Sequence, residues 1–331
     1  MKFFLGVILA VLGSTADDEA VVNAIPGKVS ILNYTEAENL RIYPLSYSGD
    51  AKSFMVLKDA LDKGLVVVKE KDEGEVNTVL VKNKGSNSVF AMAGEVILGA
   101  KQDRMIENDL ILPPNSGWLE VAVYCTEHGR WSGSSKEFAA ADINVSPSVR
   151  ANARANKNQS EVWAKVAENQ EKVMGGASST GAFKDIYDSK SYQGDRDKYW
   201  KKLKDLADNN SNMKGVIVCV GDEVVGIDLF SSHTMMKSYW HKLLDSYIVE
   251  AMQGDQHGSV SWQEAKDLLN EYTKADLDDE YTPGSGDLYE VEGGDSQGSV
   301  ILSGGILVHT DLFPEQTSKP VIDDYNQRYN E

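Results

Sequence analysis

The sequence predicts an α+β protein, with an antiparallel β-rich N-terminal half, sandwich or barrel-like, and helices with further strands in the C-terminal half. Three observations predict it. Between residues 65 and 125, five runs rich in β-branched and aromatic residues follow closely: LVVVKE, VNTVLVKN, SVFAMAGEVILG, MIENDLILPP and WLEVAVYC. Later, GVIVCVGDEVVGIDLF joins two apolar runs at Gly221-Asp222, the form of a hairpin. Directly after it, Met236, Trp240, Leu243, Leu244, Tyr247, Ile248 and Ala251 recur at helical spacing, a stripe that packs against a sheet.

In chain order, residues 1–20 read MKFFLGVILAVLGSTADDEA. Lys2 precedes an apolar run from Phe3 to Leu12, and Ser14-Thr15-Ala16 supplies the small residues of a cleavage site. A run this short cannot cross a hydrocarbon core, which takes about 20 residues. The segment reads as a signal peptide over residues 1–16, with cleavage near Ala16. The expected location is secreted or periplasmic. Residues 29–32 and 40–44 read as short strands, and 54–61 as one helical turn or two. Lys84-Gly85-Ser86-Asn87 and Pro113-Pro114-Asn115-Ser116-Gly117 carry turn chemistry between the β runs. Near Ser146 the pattern changes. A helix begins at Ser160 as N-cap, and a second spans 195–206. Residues 276–298, acidic and glycine-rich, read as a mobile loop. SVILSGGILVHTDLF reads as a last strand. The organisation is one α+β domain over 17–331, with a β-rich part at about 29–131 and an α/β part at about 146–315.

The 331 residues carry a net charge of −18, from 51 acidic and 33 basic side chains. That balance disfavours nucleic acid and anionic membrane surfaces as partners, while a local basic pocket can still hold a small anion. No run after the leader is long and apolar enough for stable membrane insertion. Cys125 and Cys219 each sit in an apolar run, which leaves a disulfide and two buried thiols both open. Asn33, Asn144, Asn158 and Asn209 open N-x-S/T sequences, which are glycosylation acceptors in a eukaryotic source.

Most motifs fail for want of context. GDSQG at 294–298 resembles a serine nucleophile loop, yet none of the five histidines lies in a base motif. The acidic run at 276–280 has Tyr281 where a calcium loop demands glycine. No HExxH, CxxC, P-loop or GxGxxG occurs, so zinc-protease, thioredoxin, nucleotide-triphosphatase and dinucleotide readings lack motif support; no metal ligand is assigned and the cofactor is left open.

Two stretches survive, GEVILGAKQDR (residues 94–104) and YCTEHGRW (residues 124–131). Gly94 and Gly99 let the backbone bend or approach a ligand closely. Lys101 and Arg104 suit phosphate or carboxylate, and Gln102 an amide or hydroxyl. Glu95 and Glu127 are the candidate acid and base. Arg130 and Trp131 offer a charge beside a stacking face. Cys125 is a third, thiol candidate. The same residues can instead pair off and tie strands together.

Both stretches resemble the signature of the ADP-ribosylglycohydrolase- and rhodanese/phosphatase-associated domain family, whose own activity is unestablished. The likeness continues through SEVWAKV, GIDLF, KLLDSYIVEAM and LVHTDLF, nearly the whole mature chain. Its motif falls on Glu95, Lys101, Gln102, Arg104, Cys125, Glu127, Arg130 and Trp131. The resemblance implies an ADP-ribose-like or phosphate-containing ligand. The expectation is an exported protein with a polar pocket for a small anionic or nucleotide-derived ligand, hydrolytic if an enzyme. The alternative is a non-catalytic secreted interaction module whose charged cluster is a structural ion-pair network.

Overall fold

The computed structural model describes residues 16–315 apart from 134 and 256. The expected leader, residues 1–16, lies outside them except for Ala16. Helices α1 (Ala16–Asn23) and α2 (Ile25–Lys28) lead into β1 (Val29–Ile31), β2 (Thr35–Ala37) and β3 (Leu40–Tyr47). Next come β4 (Met55–Val56), α3 (Leu57–Asp62), β5 (Val66–Glu70), β6 (Thr78–Asn83), β7 (Val89–Ala91) and β8 (Glu95–Gly99). β9 (Arg104–Ile106), β10 (Leu110–Leu112), β11 (Leu119–Cys125) and β12 (Glu137–Asn144) complete the β-rich half. Six of these strands close into an antiparallel barrel in the order β11-β6-β5-β12-β8-β9, and β10-β7-β4 form a small sheet beside it. Alternation decides what fills the barrel: Val66 and Val68 of β5, Val79 and Val81 of β6, and Val121 and Val123 of β11 are all buried in one cluster.

Helices α4 (Pro147–Asn156), α5 (Gln159–Met174), α6 (Asp185–Asp188), α7 (Lys190–Leu203) and α8 (Leu206–Asn209) follow. β13 (Gly215–Val220), β14 (Glu223–Phe230), α9 (His233–Ala251), α10 (Trp262–Asn270), β15 (Asp276–Glu280), β16 (Asp287–Gly293), β17 (Ser296–Leu302) and β18 (Leu307–Pro314) end the described chain. The large sheet runs β1-β3-β13-β14-β18-β17-β16-β15, with β2 also paired to β3. All seven apolar residues of the α9 stripe are buried, in the cluster that joins this helix to the sheet and barrel. At about 1.5–3 kcal/mol per large side chain, that stripe is a principal source of stability.

Several expectations need correction. Residues 276–298 are not a loop: they form β15, β16 and the start of β17. Leu288, Tyr289 and Val291 are buried, while the acidic residues of β15 line the sheet's edge. Charge on an edge strand discourages pairing with other chains, which explains an acidic strand here. The expected last strand is a hairpin, β17–β18, turned by Gly304 and Gly305 with φ of 61° and 69°. The expected single runs at 88–99 and 105–114 each break in two, because residues 92–94 carry the chain from the small sheet to the barrel and residues 107–109 carry it back. Helix α5 is capped by Asn158, not Ser160: the Asn158 side chain accepts from the N–H groups of Ser160 and Glu161. Helix α7 starts at Lys190 under a Ser189 cap, earlier than expected. β12, α4 and α10 went unread, although Ser261 and Glu264 form a capping box for α10. The two cysteines are free and buried, so no disulfide links them. No described helix is long and apolar enough to cross a membrane.

Candidate functional site

The period-two rule that fills the barrel with valine also aims three polar side chains at one end of it. Glu70 continues the Val66–Val68 face of β5, Cys125 continues the Val121–Val123 face of β11, and Arg104 lies opposite Cys125 in register. The turn Gly99–Asp103 closes this mouth, with φ of 121° at Gly99 and 44° at Ala100. Three carboxylates hold it by accepting backbone N–H groups. Glu70 Oε1 takes Lys101 N at 3.1 Å, Asp103 Oδ1 takes Gly99 N at 3.0 Å, and Glu127 Oε2 takes Asp103 N at 3.1 Å. Arg130 locks the turn from the loop that follows β11. It donates to Glu127 at 2.6–3.0 Å, to Asp103 Oδ1 at 3.1 Å and to the carbonyl of Ala100 at 2.9 Å.

Glu127 and Arg130 are therefore spent on the turn. Arg104 is not. Its guanidinium is wholly buried, and only Nη1 donates, to Gln102 O at 3.1 Å and Gln102 Oε1 at 3.4 Å. Nε and Nη2 of Arg104, Oε2 of Glu70 and Oδ2 of Asp103 are buried without a hydrogen bond. Arg104 Nη2 stands 3.8 Å from Glu70 Oε1, an ion pair too long to be a hydrogen bond. The Trp131 ring, half exposed, lies 5.9 Å from the Arg104 guanidinium and 4.9 Å from Lys101 Nζ. Lys101 Nζ donates to the carbonyl of Glu73. Gln102 Nε2 donates to His128 O at 3.2 Å. Burial pushes the Cys125 thiol up to about 12, against the opposing pull of Arg104, so a thiolate nucleophile is disfavoured here. Burial also raises the pKa of Asp103.

The structure brings Lys101, Gln102, Arg104, Cys125, Glu127, Arg130 and Trp131 to this mouth, and puts Glu95 elsewhere. Glu95 lies in the region between the barrel and the large sheet, bonded to Lys242 Nζ at 2.5 Å, Tyr239 Oη at 3.1 Å and Met92 N at 3.3 Å. Beside it is a second cluster that the sequence reading missed. Asp228 of β14 and Asp311 of β18 face each other across neighbouring strands. Arg150 of α4 spans both, donating to Asp228 at 2.7 and 3.0 Å and to Asp311 at 2.9 Å. Arg154, one turn on, reaches Asp311 at 3.3 Å and Ser299 Oγ at 3.0 Å. Tyr247 donates to Asp228 at 2.5 Å. His309 Nδ1 lies 2.6 Å from Asp109, and its Nε2 lies 3.5 Å from Asp228. Burial lowers the His309 pKa, but Asp109 and Asp228 outweigh it and raise it to about 9. Three carboxylates thus meet three cations, and burial of the set is tolerable because its charge cancels. Asp228 is held below the ordinary carboxylate range by Arg150 and His309, despite its burial.

Gly94 joins the two regions. Its φ is 81°, and a Cβ there would sit 2.5 Å from Asn144 Oδ1 and 2.8 Å from Arg150 Cγ. The first glycine of GEVILGAKQDR thus makes room for the arginine of the buried cluster. A narrow cleft of about 500 Å³, counting its open mouth, reaches this cluster past Glu107, Tyr124 and Lys157. A second pocket, of about 600 Å³ with its mouth, opens beside the barrel end between His128, Trp163 and the loop 177–181. Among the described residues no group of three His, Cys, Asp or Glu is placed to hold a metal ion.

A barrel with a polar mouth, welded to a large antiparallel sheet through a buried ion cluster, is the class of structure that this chain defines. The chain belongs to the ARPP-1 family: the model of the ARG and Rhodanese-Phosphatase-superfamily-associated Protein domain matches residues 28–313. No curated protein and no solved structure matches the chain.

Proposed function

We propose that the barrel mouth binds a small ligand bearing hydroxyl and anionic groups, of the sugar-phosphate or nucleotide-derived kind. The observation that carries this reading is Arg104, a buried guanidinium with two of its nitrogens unbonded, 3.8 Å from a carboxylate with an unbonded oxygen. A hydroxyl set between them accepts from Arg104 and donates to Glu70, satisfying both groups. The faces of Trp131 and the charge of Lys101 stand at the outer side for stacking and for an anionic group. If the ligand is hydrolysed, Asp103 suits general acid work better than Glu127. Its pKa is raised by burial and Oδ2 is unbonded, while Glu127 is tied to Arg130.

The second reading, a secreted interaction module with a structural ion network, draws its support from Glu127, Arg130 and Asp103, whose bonds hold the Gly99–Asp103 turn. We also propose export, on the leader sequence; N-terminal sequencing of the protein from its host should find a start near Asp17.

The test is thermal unfolding of the mature protein with ADP-ribose, NAD, nucleoside phosphates, sugar phosphates and inorganic phosphate, repeated with Arg104→Ala. A compound at a hundred times its Kd should stabilise by about 2.7 kcal/mol. The reading expects a shift that the folded variant loses. Should no compound shift the wild type and Arg104→Ala prove strongly destabilised, the scaffold reading stands instead.

A further inference from the structure

The pocket beside the barrel end has a different chemistry from the mouth. We infer that it binds a neutral, flat heteroaromatic ring. No Asp, Glu, Lys or Arg lines it, in a chain where such residues make up 25% of the sequence. Its walls are the rings of Trp163 and His128, set edge to face with centroids 4.6 Å apart. Burial lowers the pKa of His128, which keeps that ring neutral at neutral pH. Small residues, Ala167 on α5 and Gly129 and Gly181 opposite, leave the width. The cavity proper is about 240 Å³, below the roughly 300–1,000 Å³ of drug-sized sites, which suits a single flat ring rather than a larger ligand.

The pocket is built, not left over from a loose loop. The wall at 177–181 is fastened from both sides. Gln170, wholly buried, accepts from Ser178 N at 3.0 Å and donates to Ala182 O at 2.7 Å. From the barrel side, Gly129 N donates to Thr180 O at 2.7 Å. Gly181 takes a φ of 62°, and a Cβ on Gly129 would press within 3.2 Å of Thr180 O. Preorganisation of this kind removes an ordering cost from binding. The ligand class follows from the lining. Absence of charge disfavours an ion, and two ring walls suit a flat face. The Trp163 indole N–H, buried without a hydrogen bond, is met by an acceptor on the ring's edge. The inference stands whether or not the barrel mouth holds a ligand, since the two sites share no side chain.

The experiment follows the tryptophan indole N–H signals of the full mature protein by NMR while adenosine or uridine is added. Ribose 5-phosphate, which lacks a ring, is the control. Trp163→Phe identifies the Trp163 signal and keeps a ring in place. Ala167→Leu fills the pocket with Trp163 retained, and identifies the same signal should the first variant fail to fold. The expected result is saturable movement of that signal with a nucleoside, none with ribose 5-phosphate, and binding weakened at least about tenfold by Ala167→Leu. A Trp163 signal unmoved by either nucleoside at about 10 mM overturns the inference. So does nucleoside binding that Ala167→Leu leaves unchanged.

Discussion

The barrel mouth and the cluster under α4 use the same residue types and differ in how their polar atoms are spent. Under α4, Asp228, Asp311, Arg150 and His309 form a charge-cancelling set in which both aspartates accept several bonds. At the mouth, Arg104, Glu70 and Asp103 keep buried atoms unbonded, while Glu127 and Arg130 spend theirs on the Gly99–Asp103 turn. Arg150 Nε, Arg154 Nε and His309 Nε2 are also buried without a bond, yet every carboxylate oxygen of this cluster is bonded, and such a network resists change and holds two substructures together. An incomplete one, near the surface and under a half-exposed Trp131, leaves something for a ligand to complete. The lesson is that charge density alone does not separate a weld from a site; the carboxylate oxygens left unbonded, present at the mouth and absent under α4, do.

The contrast makes different demands on each region. The largest effect is expected from Lys242→Met, which strands Glu95 beside Tyr239. Loss of one partner from a buried pair costs about 3–5 kcal/mol, measurable by urea unfolding. Next comes pH. The folded pKa of His309 is about 9, above its ordinary 6.5. Its stabilisation is therefore complete below about pH 6.5 and lost as pH rises through 9, a fall of about 3 kcal/mol. His309→Gln should flatten that alkaline limb. At the acid end Asp228 acts in the opposite sense: its depressed pKa gives stability that is present above pH 4 or so and lost as pH falls further. Glu127→Gln should cost about 2 kcal/mol, because Arg130 and the N–H of Asp103 lose a charged acceptor. Trp131→Ala should cost less than about 1 kcal/mol of stability and weaken any ligand held at the mouth.

Legibility in the sequence follows the distance along the chain over which each feature is assembled. The α9 stripe and the β13–β14 hairpin are local patterns, and both were readable. The mouth was readable in part: Lys101 and Gln102 lie in one turn, Arg104 opens the strand after it, and Glu127, Arg130 and Trp131 follow the neighbouring strand. Glu70 and Asp103 were overlooked because neither stands out until the barrel closes. The buried cluster was unreadable as a set, since Arg150 meets Asp228 and Asp311 across 78 and 161 residues. One signal did exist. GIDLF and HTDLF each place a lone aspartate inside an apolar strand, and a buried charge of that kind demands a partner. The acidic stretch at 276–298 misled for a physical reason. Composition suggested solvent, but β16 buries apolar side chains on both faces, Leu288 on one and Tyr289 and Val291 on the other.

The most direct measurement is urea unfolding of Arg104→Met against Arg150→Met, two buried arginines replaced by an uncharged side chain of similar length. Arg150→Met strands Asp228 and Asp311 side by side and should cost at least about 3 kcal/mol. Arg104→Met strands one carboxylate, Glu70, which keeps its bond from Lys101 N, and removes two unbonded nitrogens, so it should cost clearly less than Arg150→Met. Equal costs, or a larger one at Arg104, would contradict the division of the molecule into a weld and a site.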